Sequence, residues 1–197
     1  MADLIREANR EITNKKLALV ENVLHNAIDD YSSPFYGYGT GVVKATLDAQ
    51  LAYFRRLGPV TILGDQAAVA QLVPLTGIAM NPGATGASLF TEHSDGMIDE
   101  QNANGYLGRY NGCAVISMAN TYFDGTTTPV LATDWLYIIP GGMIGDARNL
   151  KIVNEGPVNA FESQNIDDMV YEVRLDQWFG AAFVSGKLPT IGAYDIN

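Results

Sequence analysis

The chain has 197 residues, 47% hydrophobic and 17% charged, a balance that fits one large domain or two small interlocked ones and argues against a disordered polypeptide. The formal net charge is −10, and the excess is confined to residues 58–197, where fifteen acids face five Lys and Arg; residues 1–57 carry seven of each. That distribution offers no basic stripe for nucleic acid, and no apolar run reaches the roughly 18–20 residues a bilayer span needs. A single cysteine, Cys113, leaves no internal disulfide and no cysteine-based zinc site. The N-terminus, MADLIREANREI, lacks the apolar core of a secretion signal, so the protein is expected to be made in the cytosol.

In chain order, residues 3–30 predict one long helix, with Leu4, Ile5, Ala8, Ile12, Leu19, Val20, Val23, Leu24, Ala27 and Ile28 recurring at three- and four-residue steps. A helix of that length spans about 40 Å, suited to a strut along a sheet. SSPFYGYGTG breaks it, and a second helix over roughly 42–57 stops at Gly58-Pro59. VTIL (60–63) reads as a buried strand, and Asp65 as the cap of a short helix reaching about Leu72. Residues 76–87 read as a Gly, Ala and Thr loop, and 88–105 as a short helix and turn. Strands follow at 113–119, 134–140, 150–153, about 169–184, and 189–196. Helices first and strands afterwards, without alternation, predict an α+β fold and argue against a doubly wound nucleotide fold. Trp135 and Trp178, both in strand patterns, are expected to be core anchors and not interface hot spots.

Four motifs are candidates for chemistry. GYGTGVVK (37–44) has the glycines and the lysine of a phosphate loop, but its spacing matches neither the Walker nor the dinucleotide pattern, and it follows a helix where both need a strand. A flexible helix–helix corner is the expectation. TEHSD (91–95) groups Glu92, His93, Ser94 and Asp95, yet sequence neighbours diverge in space and the chain has two histidines in all, so a capped helix start is favoured over a metal site or an acidic hydrolase centre on Glu92 and His93. Cys113, in the apolar GCAVIS, is expected to be a buried inert thiol. The pairs Asp29-Asp30 and Asp167-Asp168 read as solvated element ends. No catalytic, cofactor-binding or metal-binding set emerges, and the chain is not expected to be an enzyme.

Five segments, taken in order, resemble the major capsid proteins of tailed bacteriophages, whose fold is shared with encapsulins. ITNKKLALVENVLHNAIDD (12–30) resembles the end of that family's spine helix, and LDAQLAYFRRLGPVTILGDQAAVAQL (47–72) its helix–strand–helix unit. YLGRYNGCAVISMANTYF (106–123) is similar to a strand leading into an exposed hairpin, LATDWLYIIPGG (131–142) to the strand after it, and DDMVYEVRLDQWFGAAFVSGKLPTIGAYDI (167–196) to the closing segment. The resemblance implies a spine helix of a peripheral domain at 1–34, an axial domain at 35–148, peripheral return strands at 149–186 and a closing axial strand at 187–197. It implies a structural subunit of a virion or prophage shell, assembling with itself into pentamers and hexamers. Scaffold, portal and decoration proteins are the implied further partners, with no sequence-specific nucleic acid and no membrane. The family places an N-terminal arm and an extended loop before the spine helix; this sequence begins at the helix, so those elements are expected to be lacking. An encapsulin-like shell, or a phage-derived binding protein, is the alternative. The acidic surface is expected either to limit sticking of packaged DNA or to pair with basic patches of a neighbouring subunit, for which Arg55, Arg56 and Arg109 are the candidates. The resemblance implies that the loops at 76–87 and 124–128 sit where axial loops of this family meet around a ring; an ordinary surface loop is the equal alternative for each.

Overall fold

The computed structural model of the chain describes residues 2–72, 75, 106–123, 125–141, 149–164, 171–184 and 188–197. Helix α1 (Ala2–Ile28) is followed by strand β1 (Tyr36–Tyr38), helix α2 (Lys44–Phe54), strand β2 (Val60–Asp65) and the short helix α3 (Gln66–Ala70). Strands β3 (Tyr106–Tyr110), β4 (Cys113–Met118), β5 (Trp135–Pro140), β6 (Leu150–Gln164), β7 (Tyr171–Phe183) and β8 (Gly192–Asp195) complete the described elements. The α+β expectation holds. The two helices, the 60–63 strand and the Asp65 cap expected within 3–72 hold as well, the Asp65 carboxylate accepting from Ala67 N at 2.8 Å, but the stretch at 37–44 does not.

Six strands form one sheet in the order β1-β8-β5-β2-β4-β3, with β1/β8 and β2/β4 parallel and the other pairs antiparallel. Period-two alternation gives this sheet two apolar faces. On one, Ile62, Val115, Leu136, Ile138 and Tyr194 pack against Leu47, Leu51 and Phe54 of α2 and Val69 of α3. On the other, Tyr137 and Ala193 meet Leu24 and Ile28 in the last turns of α1. The sheet is thus a middle layer, and only the C-terminal end of α1 helps to cover it.

Strands β6 and β7 form a separate antiparallel ribbon. The 150–153 strand of the sequence reading is far longer, running to Gln164. Gly156 and Pro157 give NEGPVN the composition of a turn, yet here they form a bulge: Gly156 takes φ +76°, pairing lapses after Glu155↔Trp178, and it resumes at Asn159↔Asp176. The ribbon lies along the middle of α1, where Lys16 Nζ donates to Gln177 Oε1 and sits 5.5 Å from the Phe179 ring centre. Residues 177, 179 and 183 of β7 therefore face helix and core, and the even-numbered positions lie on the other face of the ribbon.

Candidate functional site: a basic cleft and an exposed ribbon face

The glycine-rich stretch 37–44 is not a flexible corner. Its first residues are strand β1, pairing with β8 through Tyr36↔Ala193, Gly37↔Tyr194 and Tyr38↔Asp195. Its glycines serve close approach: a Cβ on Gly37 would lie 2.9 Å from the Tyr194 ring, and one on Gly39 would lie 2.9 Å from the Tyr194 hydroxyl. The amide donors a phosphate would use are already engaged. Gly39 N donates to Asp195 O (3.0 Å), Gly41 N to Ile196 O (3.1 Å) and Val43 N to the Tyr194 hydroxyl (2.8 Å). Lys44 is held by Asp48 at 2.6 Å. The phosphate-loop reading fails on occupancy as well as on spacing.

Arg55 and Arg109 come together. Arg55 ends α2, Arg109 lies on β3, and both line one cleft of about 490 Å³ with Pro59, Val60, Cys113 and Ala114. The register builds this wall, since Thr61 of β2 and Arg109 of β3 both pair with Ala114 of β4. Arg55 Nη1 donates to Asn111 Oδ1 at 3.4 Å, and the nearby Asp48 carboxylate is occupied by Lys44 and by the Tyr110 hydroxyl at 2.8 Å. Burial alone would raise the Asp48 pKa, but those donors and Asn111 hold it below its ordinary value. Among the described residues neither Arg55 nor Arg109 has a carboxylate partner. Arg56 is exposed but does not line the cleft. Cys113 forms part of the wall, buried, its thiol pushed up by burial against the opposing influence of Arg55. Its burial is as expected.

Trp135 and Trp178 part company. Trp135 stacks on His25 with ring centres 3.7 Å apart and joins the core beneath α1. Trp178 corrects its expectation: it is 72% exposed, on the ribbon face of the even-numbered β7 positions, at the groove that Ile12, Lys15, Lys16 and Leu19 of α1 form with β7. Exposed Val153 and Phe161 share that face, with Glu155 directly across from Trp178. The sequence held a signal for this, because alternation in VRLDQWF puts Trp178 on the same face as Arg174 and Asp176, an ion pair at 2.8 Å.

Where α1 meets the sheet, a polar cluster is set into the packing. His25 Nε2 lies 2.7 Å from the Tyr137 hydroxyl, which donates to Glu21, and Glu21 also accepts from Ala132 N at 3.0 Å. Desolvation holds the His25 pKa below its ordinary value and raises that of Glu21. Tyr137 is raised strongly, by burial first and then by its bond to Glu21. The residues of TEHSD and Asp167-Asp168 lie outside the described residues, while Asp29 and Asp30 are exposed at the end of α1 as expected. Among the described residues no three His, Cys, Asp or Glu side chains converge as metal ligands, and no helix is long and apolar enough to cross a membrane.

Arg55 and Arg109, which lack a carboxylate partner among the described residues, and the exposed Trp178 and Phe161 put the chain's distinctive groups on its surface. The family model described as "SPbeta prophage-derived putative capsid protein YonB" matches residues 1–195. The chain belongs to this family. No curated protein matches it. Membership in the YonB family gives the chain a phage capsid-related, structural role and points away from catalysis. In a YonB-family protein, the cleft and the ribbon face are candidates for contacts between proteins.

Proposed function

We propose that this protein is a shell subunit of the major-capsid type, made in the host cytoplasm and destined for the virion, where copies associate into pentamers and hexamers that enclose a genome. The observation that carries the reading is the YonB match over 195 residues, nearly the whole chain. The element order supports it: a long first helix, a mixed sheet, a long ribbon, and a last strand that returns to the sheet beside β5. In this reading residues 1–34 are a spine helix, 35–148 and 187–197 an axial domain, and 149–186 the return strands of a peripheral domain. Arg55, Arg56 and Arg109 belong to the subunit interface, and scaffold, portal or decoration proteins are further partners. Shell building requires complementary edges and no reaction chemistry, in keeping with side chains committed to packing and to short polar networks.

The test is assembly of the purified chain, followed by sedimentation velocity and negative-stain electron microscopy across a concentration series. Capsomer-sized or closed particles are expected. A species that stays monomeric up to its solubility limit, with and without a crowding agent, would sink the proposal.

A further inference from the structure

We infer that Trp178 and Glu155 on the outward ribbon face of one copy enter the Arg55–Arg109 cleft of a second copy. The inference rests on the shell reading above, which makes another copy of the chain the partner, and it names the two surfaces that meet.

Three observations lead there. The first is an exposed anchor. Trp178 is 72% exposed on a ribbon of 15- and 13-residue strands, and Val153 (63%) and Phe161 (56%) are exposed on the same face. Two-stranded ribbons are marginal unless a further layer covers them; α1 approaches along β7, where Ile12, Lys15, Lys16 and Leu19 share a groove with residues 174–179, and it leaves Trp178 mostly exposed. Exposed apolar side chains gathered on one face, rimmed by charge, mark a docking surface.

The second is a pocket without an anchor. The cleft has about 490 Å³, lies within the size range of ligand pockets, and has apolar walls in Pro59, Val60 and Ala114. Its volume exceeds that of an indole, and its two guanidinium groups have no carboxylate partner among the described residues. Guanidinium groups stack on tryptophan faces and take carboxylates in forked geometry.

The third is charge complementarity in register. Glu155 pairs with Trp178 across the ribbon, so one rigid face offers the indole and the carboxylate side by side. Glu155 has no partner among the described residues. The bulge that follows it, with Gly156 at φ +76°, interrupts the ladder there, and local twist of that kind re-aims side chains. Trp and Arg are the residue types that dominate binding energy at interfaces. Because the two surfaces differ, the contact is head-to-tail, and repetition of such a contact yields rings or open arrays.

The experiment uses the full chain and two variants that each lose one half of the contact. Trp178→Ala retains a cleft and lacks the anchor; Arg55→Glu/Arg109→Glu retains the anchor and lacks the cleft. Alone, each is expected to raise the concentration needed for half-assembly by about thirtyfold or more, the size of a hot-spot loss. Mixed in equal amounts, they are expected to give 1:1 dimers that do not grow, since one complete contact can form and none can follow. Unchanged melting temperatures check that each variant folds. Should Trp178→Ala fail to fold, Glu155→Arg replaces it, and adding Arg109→Glu to Glu155→Arg is expected to restore assembly by exchanging the charges. Variants that assemble like the unmodified chain, or a mixture that stays monomeric or grows without limit, would overturn the inference and leave the shell reading standing. If the unmodified chain itself does not assemble, the shell reading fails, and the inference fails with it.

Discussion

Tyr194 explains the most suggestive motif in the sequence. Its hydroxyl accepts from Val43 N at 2.8 Å, one of the orphan donors at the start of α2, and donates to Gly41 O at 3.2 Å. Val43 has no side-chain cap of its own, so this phenol does the capping from β8, 151 residues away. Tyr194→Phe retains the buried ring and removes both bonds, leaving an amide and a carbonyl unsatisfied. The expected cost is about 1–3 kcal/mol, read as a fall of several degrees in melting temperature at this chain length. Phosphate and nucleotides are expected to leave that temperature unchanged, because no free anion cradle exists at 37–44. A Tyr194→Phe protein as stable as the unmodified one would mean that the hydroxyl contributes nothing to the turn.

At the scale of elements, the docking of α1 on the sheet has a built-in pH response. His25 donates toward Tyr137, Tyr137 toward Glu21, and the whole set lies between α1 and β5. The carboxylates of Asp134, Asp195 and Asp29 act on His25 in the opposite sense to desolvation, which prevails and lowers its pKa from 6.5. A histidine depressed in the folded state binds fewer protons there than when unfolded, so stability rises with pH through this window and falls as pH drops below 6.5. Glu21 has the opposite sign. Its pKa is raised by desolvation, so the folded state holds a proton that the unfolded state releases, and protonation on acidification offsets part of the loss. His25→Asn should therefore flatten the decline in melting temperature between about pH 7.5 and about pH 5, whereas Glu21→Gln should steepen it. Identical slopes for all three proteins would show that the cluster does not titrate on folding. None of this could be read from the sequence, since nothing there pairs residue 25 with residue 137. What could be read was whatever follows from local period and punctuation: α1 from its stripe, α3 from Asp65, β2 and β5 from β-branched runs. The missed features are those in which tertiary context overrode composition. Parallel β1 was hidden by glycines that permit contact with Tyr194, and the far half of β6 by a Gly-Pro that forms a bulge in place of a turn. For the candidate site, Arg55 and Arg109 were visible as cations in an acidic chain, but the wall that joins them depends on strand order.

For the whole molecule, the net charge of −10 sets how copies should respond to salt. Each copy repels every other through its excess acids, a long-range effect with a screening length of about 10 Å at 0.1 M ionic strength. The pairing of Glu155 with Arg55 and Arg109 is short-range, and a cleft closed by an indole keeps out the ions that would weaken it. Salt therefore removes more repulsion than attraction. Raising NaCl from about 0.05 to about 0.3 M should increase the weight-average sedimentation coefficient, and lowering the pH toward the sequence pI of about 4.5 should act in the same direction until the His25 cluster destabilises the fold. Arg55→Glu/Arg56→Glu makes the separation visible: it adds four negative charges to the monopole while removing one cation of the cleft. Its association should be weaker than that of the unmodified chain at every salt concentration, and moderate salt should recover part of the loss. The part that salt does not recover measures the local contact. A monotonic decline of assembly with salt in the unmodified chain would contradict this balance, because it would mean that exposed ion pairs, and not a tryptophan seated between arginines, hold the copies together.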